Sequence, residues 1–291
     1  MTESLDKAGP SFAITTLGCK LNQYESECIR QALVGKDWEF KAFGESADYY
    51  IINTCSVTAR TDSRCRNAVR RARKAAPDSR IIVTGCYAET QPESLEKMAE
   101  TDLVLGNMDK ESIVDILERM AGRIQTDGSG TETAGYDIAE FHEHSRAFIK
   151  IQEGCDSSCA YCIIPRARGR SRSVSTDKVL NQVRKLEKNG IEEIVLTGIH
   201  IGRYGKDLEQ GDSLEGLVGR ILDETSLPRV RLSSIEVNEV TDGLLSIISA
   251  TDRLAPHLHI PLQSGDDGIL EAMRRPYDLS LIHISEPTRP Y

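Results

Sequence analysis

Residues 152–172 read QEGCDSSCAYCIIPRARGRSR, in which three cysteines have the spacing CxxxCxxC. One short loop can wrap the thiolates of Cys155, Cys159 and Cys162 around a 4Fe–4S cluster, and one iron would stay open to another ligand. A zinc site is the first alternative, but it needs a fourth ligand, and no His or Cys follows Cys162 for 30 residues. A redox dithiol is the second alternative, and it leaves Cys155 unexplained. The spacing therefore favours an iron–sulfur loop.

Three further cysteines, Cys19, Cys55 and Cys86, each follow a short apolar segment. The segments read FAITTLG, YYIINT and RIIVTG and begin at residues 12, 49 and 80. Short strands that alternate with helices predict a parallel sheet, whose strands all end at one edge. We therefore expect three thiols at that edge, suited to a second 4Fe–4S cluster with an open iron or to an incomplete zinc site. The alternative is small buried residues, which is our interpretation of Cys28 and Cys65 inside predicted helices.

The alternation of strands and helices continues beyond the cysteine loop and predicts the fold class. A second series starts at Ala147, with further strands predicted at 193–197, 229–235 and 257–261. A full TIM barrel needs about eight such units. We predict an α/β chain: an N-terminal parallel-sheet domain, then a truncated (β/α) partial TIM barrel. The predicted boundaries are a disordered tail at 1–10, the N-terminal domain at 11–120, a linker at 121–145, the barrel at 146–278 and a foreign segment at 279–291.

The foreign segment reads LSLIHISEPTRPY and abandons the strand–helix rhythm. It resembles the translation of a sequencing adapter, so we interpret it as an artefact and exclude it from the fold prediction. The alternative is a short natural strand and turn.

The composition limits the class of protein. Of 291 residues, 36 are Lys or Arg and 45 are Asp or Glu, a net charge of −9, and 39% are hydrophobic. These values exclude a collagen, a coiled coil and a wholly disordered chain. No apolar run is long enough for a membrane span and no secretory signal precedes the first strand, so we expect a cytoplasmic protein. In the reducing cytosol, eight cysteines indicate metal or redox chemistry rather than disulfides.

Positive charge is concentrated in two segments of this acidic chain. Residues 60–80 carry eight basic and two acidic side chains, a charge of +6. The second segment is residues 166–172, where an arginine occupies every other position. In an extended strand this alternation would place four guanidinium groups on one side. Guanidinium groups suit phosphate, so we predict RNA contacts there, with an ordinary solvated surface as the alternative. The predicted RNA-binding residues are Arg166, Arg168, Arg170 and Arg172.

With Tyr161 before its last cysteine, the CxxxCxxC loop resembles that of the radical S-adenosylmethionine (SAM) enzymes. Together with the upstream cysteines it resembles the methylthiotransferases of that superfamily, over residues 11–278. The segments that carry this resemblance are LGCKLNQYES, INTCSVT, VTGCYA, KIQEGCDSSCAYCIIPRARG, IVLTGIHIGRYG, RLSSIE and HLHIPLQSG. Three of them resemble the branch that thiomethylates N6-threonylcarbamoyladenosine next to the tRNA anticodon. The isopentenyladenosine and ribosomal-protein branches are alternatives, although the former usually has Gln-Met where this chain has Lys20-Leu21.

The resemblance implies a transferase that uses two 4Fe–4S clusters and SAM. One SAM would donate a methyl group to sulfur on the N-terminal cluster, and a second would be cleaved at the catalytic Cys155, Cys159 and Cys162 to a radical that abstracts hydrogen from adenosine C2. The implied partners are the tRNA anticodon stem-loop and an electron donor such as flavodoxin or ferredoxin, with the enzyme a monomer. Two alternatives of other classes are a metal-containing RNA-binding module and a non-functional fragment, since the family's remaining strands and C-terminal RNA-binding module are missing.

The resemblance also indicates residues for SAM. Tyr161 lies in the loop that family members place against adenine, and the others end successive predicted strands on the face of the cluster. Among them Glu236 is predicted to accept a hydrogen bond from a ribose hydroxyl. The alternative for these groups is loop capping, and His200 is interpreted as a hydrogen-bonded loop residue. The predicted cofactor-binding residues are Tyr161, Gly198, Ser234, Glu236 and Gln263.

Overall fold

The computed structural model describes residues 9–56, 58–124, 138–139, 141, 146–209 and 211–281. The chain forms two compact units, Met1–Ile138 and Ala139–Tyr291. Both contain a sheet of parallel strands connected by helices. In the described part of the chain, no helix combines the length and the apolar character that a membrane span requires.

The first unit is built on a five-stranded parallel sheet in the order β2-β1-β3-β4-β5. Its elements are β1 (Ser11–Thr16), α1 (Lys20–Val34), β2 (Glu39–Lys41), β3 (Tyr49–Thr54), α2 (Ala59–Ala75), β4 (Arg80–Gly85), α3 (Cys86–Thr90), α4 (Pro92–Glu96), β5 (Leu103–Leu105) and α5 (Ile113–Met120), the last preceded by a 3-10 turn at Asp109–Ser112. This order makes β1, β3 and β4 neighbours, although long stretches of chain separate them.

The alternation of side chains along the central strands explains why helices cover both faces of this sheet. Tyr50 and Ile52 pack with the buried residues of α2 and α3, whereas Ile51 and Ile82 pack with those of α1 and α5. Successive residues of a strand point to opposite faces, so one apolar run supplies both cores. A strand that is buried on both sides reads as continuous apolar sequence, as β3 does.

The second unit has a three-stranded parallel sheet in the order β10-β9-β6 and a short antiparallel pair, β7 with β8. Its elements are β6 (Ala147–Lys150), β7 (Gln152–Glu153), α6 (Ile164–Arg168), β8 (Arg172–Ser173), α7 (Thr176–Lys188), β9 (Glu193–Thr197), α8 (Leu214–Glu224), β10 (Arg229–Leu232), α9 (Asp242–Ala250) and α10 (Asp267–Ala272). The three strands of the parallel sheet lie side by side in their chain order, which is the arrangement of a (β/α) barrel.

The predicted fold class, an α/β chain with a parallel-sheet domain before a partial barrel, is confirmed. The strand predicted at 257–261 is wrong. That segment contributes one isolated bridge, Ser234 to His259, with the hydrogen bond from Ile235 N to His259 O at 3.1 Å. Pro256 precedes the segment and Pro261 ends it, and neither can donate to a ladder, so pairing does not extend.

Several predicted segments lie wholly or partly outside the described residues. They include the tail at 1–10, described only from residue 9, most of the linker at 121–145, and the foreign segment beyond residue 281. The first residues of that segment do pack. Leu279 and Leu281 lie against Val237, Leu270 and Tyr277, which differs from our exclusion of this segment from the fold.

Candidate functional site

The ends of three neighbouring strands bring Cys19, Cys55 and Cys86 to one edge of the first unit. Cys19 is the N-cap residue of α1, Cys55 follows β3 directly, and Cys86 begins α3. Thr54 pairs with Gly85 across β3 and β4, so the two cysteines that follow these residues leave adjacent strands at the same level. The convergence expected from the strand pattern is therefore what the register produces.

Two glycines make this convergence possible. A Cβ at Gly18 would lie 3.0 Å from the Cβ of Cys55, so the end of β1 reaches the second cysteine. A Cβ at Gly85 would lie 2.3 Å from the carbonyl oxygen of Thr54. Their φ angles of +142° and +104° are also ones that residues with a side chain rarely adopt. Glycine at these positions lets the cysteine-bearing turns approach one another.

A pair of fully buried asparagines ties the same strand ends together. The Asn22 amide donates to Asn53 Oδ1 at 3.1 Å and to the Thr54 carbonyl at 2.9 Å, and the Cys19 thiol donates to Asn22 Oδ1 at 3.3 Å. Asn53 donates in turn to the Asn22 carbonyl at 3.0 Å. Sequence reasoning missed both residues. The available signal was Asn53, an uncharged polar residue at the end of an apolar strand. At that position a side chain can form the hydrogen bonds that the strand no longer forms with its neighbour.

Three thiols at one edge of the sheet are a donor set that suits an iron–sulfur cluster. Within the described residues, no three His, Cys, Asp or Glu groups are placed to hold one metal ion. The thiolates of a cluster bind separate irons, so they lie farther apart than the ligands of one ion. Cys65 is a packing residue, as interpreted: burial raises the pKa of its thiol to about 11, and its sulfur lies 3.5 Å from the Cys55 carbonyl.

In the second unit, the loop between β7 and α6 carries Cys155, Cys159 and Cys162, all partly buried. The fully buried Gln152 anchors the start of the loop: its amide donates to the Gly154 carbonyl at 2.8 Å, and its oxygen accepts from His200 N at 2.8 Å. The loop start is thus tied to the carboxyl end of β9. Three soft thiols on one anchored loop are a donor set that suits a 4Fe–4S cluster.

Two charged groups from distant parts of the second unit contact the loop sulfurs. Arg275 Nη1 lies 3.2 Å from Cys159 Sγ, and Arg275 Nη2 donates to both Glu236 oxygens at 2.7 and 2.5 Å. On the other side, His200 Nδ1 lies 3.4 Å from Cys155 Sγ. The His200 Nε2 lies 2.8 Å from Glu239 Oε1, an ion-pair contact without the alignment of a good hydrogen bond.

These contacts change the acidity of the thiols in opposite directions. Burial acts to raise the pKa of Cys155, but hydrogen bonds with His200 and Ser157 outweigh it and lower that pKa. Burial raises the pKa of Cys162. Burial also opposes a charged His200, yet its contacts with the Cys155 sulfur and the Glu239 carboxylate raise its pKa to about 9. Cys155 therefore becomes the thiolate that iron requires more readily than Cys162 does.

The predicted cofactor residues occupy different settings around this loop. Gly198 follows β9, where a Cβ would lie 2.8 Å from the Gln152 carbonyl. Ser234 Oγ lies 2.6 Å from His259 Nδ1, and Glu236 is held by Arg275 rather than exposed alone. Tyr161 is 51% exposed. Gln263 does not end a strand, because 257–261 is not one, but its φ of +66° marks a tight turn.

The row of arginines after the loop is not extended, so the predicted geometry is wrong. Ile164–Arg168 is a short helix, and the Arg168 side chain is buried and paired with Glu153 at 2.8 Å. Arg172 lies 3.7 Å from the same carboxylate, whereas 92% of the Arg170 side chain is exposed. Four guanidinium groups therefore do not share one side. A role in RNA binding stays a prediction for Arg166, Arg170 and Arg172, and Arg168 serves an internal ion pair.

Sequence reasoning also missed Arg275. The residue lies 116 positions after Cys159, in a segment to which the sequence patterns assign no role. Its guanidinium also lies over the Tyr277 ring, with 5.3 Å to the ring centre. Nothing in the local pattern distinguishes Arg275 from Arg274, which is exposed. Only the path of the chain around the second unit shows which of the two reaches the sulfur.

Comparison with known proteins gives two family matches. The model of the uncharacterized protein family UPF0004 matches residues 11–106, and that of the radical SAM superfamily matches residues 149–282. Among solved structures, the radical S-adenosylmethionine methyltransferase TsrM from Kitasatospora setae, with cobalamin and a [4Fe-4S] cluster bound, superposes with a TM-score of 0.62 at 14% identity. The match covers 94% of this chain and 63% of that structure. At this identity the likeness concerns the fold.

Curated relatives match most of the chain. The threonylcarbamoyladenosine tRNA methylthiotransferases of Aquifex aeolicus and Bacillus subtilis are 37% and 38% identical to it, over 91% and 92% of its length. A tRNA-2-methylthio-N(6)-dimethylallyladenosine synthase of Cereibacter sphaeroides is 33% identical over 95%. These matches cover 66%, 61% and 66% of the relatives. The chain therefore spans slightly less than two thirds of the length of the curated relatives that it matches.

Proposed function

Because this chain belongs to the radical SAM methylthiotransferase family, we propose that it transfers a methylthio group to C2 of N6-threonylcarbamoyladenosine in tRNA. The observation that carries the proposal is the presence of two separate cysteine triads, one at the strand edge of the first unit and one on the loop of the second. A radical enzyme that only cleaves SAM needs the loop triad alone. A second set of three thiols supports a reaction in which sulfur is also delivered.

The two triads fit the two clusters by their chemistry. Each supplies three thiols and would leave one iron without a protein ligand. When bound, the clusters and SAM would supply the electron, the radical that removes hydrogen from C2, and the sulfur and methyl group that replace it. Cys155, Cys159 and Cys162 would hold the cluster that binds SAM. The strand-edge residues that would hold the other cluster are Cys19, Cys55 and Cys86.

The surrounding residues would orient these groups. Arg275 would place a positive charge beside Cys159 and hold the Glu236 carboxylate in one position for a ribose hydroxyl. Gln152 would keep the loop fixed against the end of β9. At the strand edge, Asn22 would hold β3 and the Cys19 turn together. All four groups act by position, since each is itself held by hydrogen bonds.

Substrate and partners are part of the same proposal. The tRNA substrate is supported by the relatives named above, of which those that act on threonylcarbamoyladenosine are more similar to this chain than the dimethylallyladenosine enzyme is. We further propose a cytoplasmic monomer that receives electrons from a flavodoxin or a ferredoxin. Tyr161, Gly198, Ser234 and Gln263 complete the proposed SAM site.

The test uses tRNA that carries either N6-threonylcarbamoyladenosine or isopentenyladenosine and lacks the methylthio group. The chain, reconstituted anaerobically with iron and sulfide, is incubated with each tRNA, SAM and a reductant, and the nucleosides are measured by mass spectrometry. We expect a product heavier by one methylthio group in place of hydrogen on the first tRNA only. Product on the second tRNA alone would assign the other branch. Zinc without labile sulfide after reconstitution would favour a metal-containing RNA-binding module.

A further inference from the structure

Helix α2 presents three distinct faces, which differ in the partners that their side chains have among the described residues. The buried face packs on the sheet through small residues. A second face carries basic side chains that are engaged by neighbouring groups. The third face carries basic side chains, and no carboxylate of the described residues forms an ion pair with them. The residues of the buried face are Cys65, Ala68, Val69, Ala72 and Ala76.

The engaged face shows how this unit neutralises arginines when they serve its own fold. Arg66 donates to the Tyr87 hydroxyl at 2.7 Å. Arg73 forms an ion pair with Asp102 at 2.5 Å and also donates to backbone carbonyls, and Arg70 lies 3.9 Å from a Glu100 oxygen. These arginines connect α2 to the segments that follow it. They account for three of the eight basic side chains of residues 60–80.

The third face carries the other four basic side chains of the helix in a single row. Positions 60, 64, 67, 71 and 74 follow steps of four and three, which align on one side of a helix. All five side chains are exposed, and no carboxylate of the described residues forms an ion pair with the four basic ones. Arg71 lies over the Phe43 ring, with 5.7 Å to its centre. We call this row the α2 stripe; it consists of Arg60, Arg64, Asn67, Arg71 and Lys74.

A row of like charges at this spacing destabilises a helix, because neighbours three and four positions apart repel one another. The chain has nine more acidic than basic groups overall, so carboxylates for pairing are abundant. Arginines of the engaged face form ion pairs with Glu100 and Asp102, whereas no basic residue of the stripe pairs with a carboxylate of the described residues. An anionic partner from outside the described residues would remove this repulsion.

The stripe also begins near the candidate cluster. Helix α2 starts four residues after Cys55, so Arg60 and Arg64 lie in its first two turns. Arg64 and Arg71 line a hollow of about 210 Å³ together with Leu17, which immediately precedes the turn to Cys19. From Arg60 to Lys74 the stripe extends about 21 Å along the helix at about 1.5 Å per residue. A linear polyanion on the stripe would therefore lead toward the strand edge.

We propose that the α2 stripe binds the phosphate backbone of the RNA substrate. The inference rests on the proposed function for the identity of that RNA. Three of the four charged groups are guanidinium, whose planar fork matches phosphate oxygens, and Asn67 adds a hydrogen-bonding group within the row. The spacing of about 5–6 Å between neighbouring side chains suits successive contacts along one strand better than a single compact anion. The stripe thus carries part of the RNA affinity in the first unit.

The test compares RNA binding by the 291-residue chain and two variants. The stripe variant carries Arg60→Gln, Arg64→Gln, Arg71→Gln and Lys74→Gln. The matched control removes the same charge at exposed positions elsewhere, with Lys36→Gln, Arg119→Gln, Lys178→Gln and Lys188→Gln. The affinity for a labelled tRNA anticodon stem-loop is measured from about 50 to about 200 mM salt. Iron content and the temperature of unfolding report on the fold of each variant.

Each phosphate contact contributes about 0.7–0.9 to the slope of log K against log salt concentration. We expect the stripe variant to lose about 3 from that slope, with an unchanged slope for the control and unchanged iron content for both. The stripe variant should unfold at the same or a higher temperature, because a row of like charges has been removed. If the slope of log K for RNA against log salt concentration is unchanged in the stripe variant, the proposal is wrong. This holds also if the stripe variant instead loses binding to flavodoxin or to phosphatidylserine vesicles.

The outcome separates this inference from the proposed function. If the wild-type chain forms the methylthio product while the stripe variant keeps the wild-type slope, only the stripe proposal fails. If the wild-type chain forms no product but binds RNA through the stripe, only the proposed activity fails. A wild-type chain that does not bind RNA at all overturns both.

Discussion

The two cysteine triads reach similar chemistry by different routes. The loop triad is local, since eight consecutive residues contain Cys155, Cys159 and Cys162. The edge triad is assembled by topology, since Cys19, Cys55 and Cys86 come together only because β1, β3 and β4 are neighbouring parallel strands. The loop thiols are partly exposed, whereas two of the edge thiols are buried. A local motif can be recognised by spacing alone, but a distributed one requires the sheet order to be correct.

This difference predicts which substitutions remove which function. The largest effect is expected from Cys159→Ala, which removes one ligand from the loop triad. We expect no detectable 5′-deoxyadenosine from SAM and a fall from about eight irons per chain to about four. Iron and sulfide analysis and chromatography of the nucleoside products measure both quantities. Arg274→Gln, at an exposed neighbour of the residue that contacts Cys159, serves as a control that should retain both. Cleavage of SAM by the Cys159 variant would contradict the assignment of this loop.

A substitution in the edge triad should abolish only one of the two activities. Cys55→Ala should also lower the iron content by about half, but SAM cleavage should continue while the methylthio product disappears. The matched control is Cys65→Ala, a buried cysteine whose sulfur lies 3.5 Å from the carbonyl of Cys55 itself. That variant should keep both clusters and both activities and lose only some stability. Normal thiomethylation by the Cys55 variant would show that convergence at the sheet edge has no role in the reaction.

Much of the fold could be predicted because its elements are long or strongly apolar. The bounds predicted for the strand at 193–197 coincide with those of β9 in the structure. β2 was missed because its three residues, Glu39–Lys41, are mostly exposed and carry no apolar run. The short helix α6 was read as extended because five residues are too few to show a helical period. Short elements depend on their surroundings, which local patterns do not describe.

The residues of the candidate site also divide into those that local sequence patterns predict and those that they do not. The six cysteines were found from spacing and from repeated strand endings, both of which are local signals. Arg275 and the Asn22–Asn53 pair were not found, because their contacts span 116 and 31 positions of the chain. Such groups act on the site through the fold, and the sequence around them resembles that of any polar surface or helix start. The proposed cluster ligands are therefore more predictable than the residues that would position them.

The glycines at the edge triad allow a test of how tightly its turns are packed. Gly85 and Gly44 have nearly the same φ, +104° and +108°, but a Cβ would strike Thr54 at Gly85 and meet nothing within 4 Å at Gly44. Gly44→Ala should cost about 1–3 kcal/mol from backbone strain alone. Gly85→Ala should cost about 1–3 kcal/mol more, because β3 and the Cys86 turn must separate. Denaturant unfolding measures both, and equal losses would show that the turns can separate freely.

The smallest effect is expected at Arg275, and it tests whether the loop triad, like the edge triad, depends on distant residues. Arg275 places a guanidinium 3.2 Å from Cys159 Sγ, and donors to cluster sulfurs favour the reduced state with its greater negative charge. Arg275→Gln should therefore make the midpoint potential of this cluster more negative. The shift would be about 60 mV if the bond is worth about 1.4 kcal/mol more to the reduced form.

The measurement is a redox titration followed by electron paramagnetic resonance, in the Cys55→Ala background so that only the loop cluster contributes. Iron content should not change, which separates an effect on potential from loss of the cluster. Arg274→Gln removes the same charge from the neighbouring exposed position and should leave the potential near its wild-type value. Equal shifts in the two variants would mean that net charge, rather than the contact with Cys159, sets the potential. The properties of the loop triad would then depend on its own loop and not on a distant residue, whereas the edge triad depends on strands that are far apart in the chain.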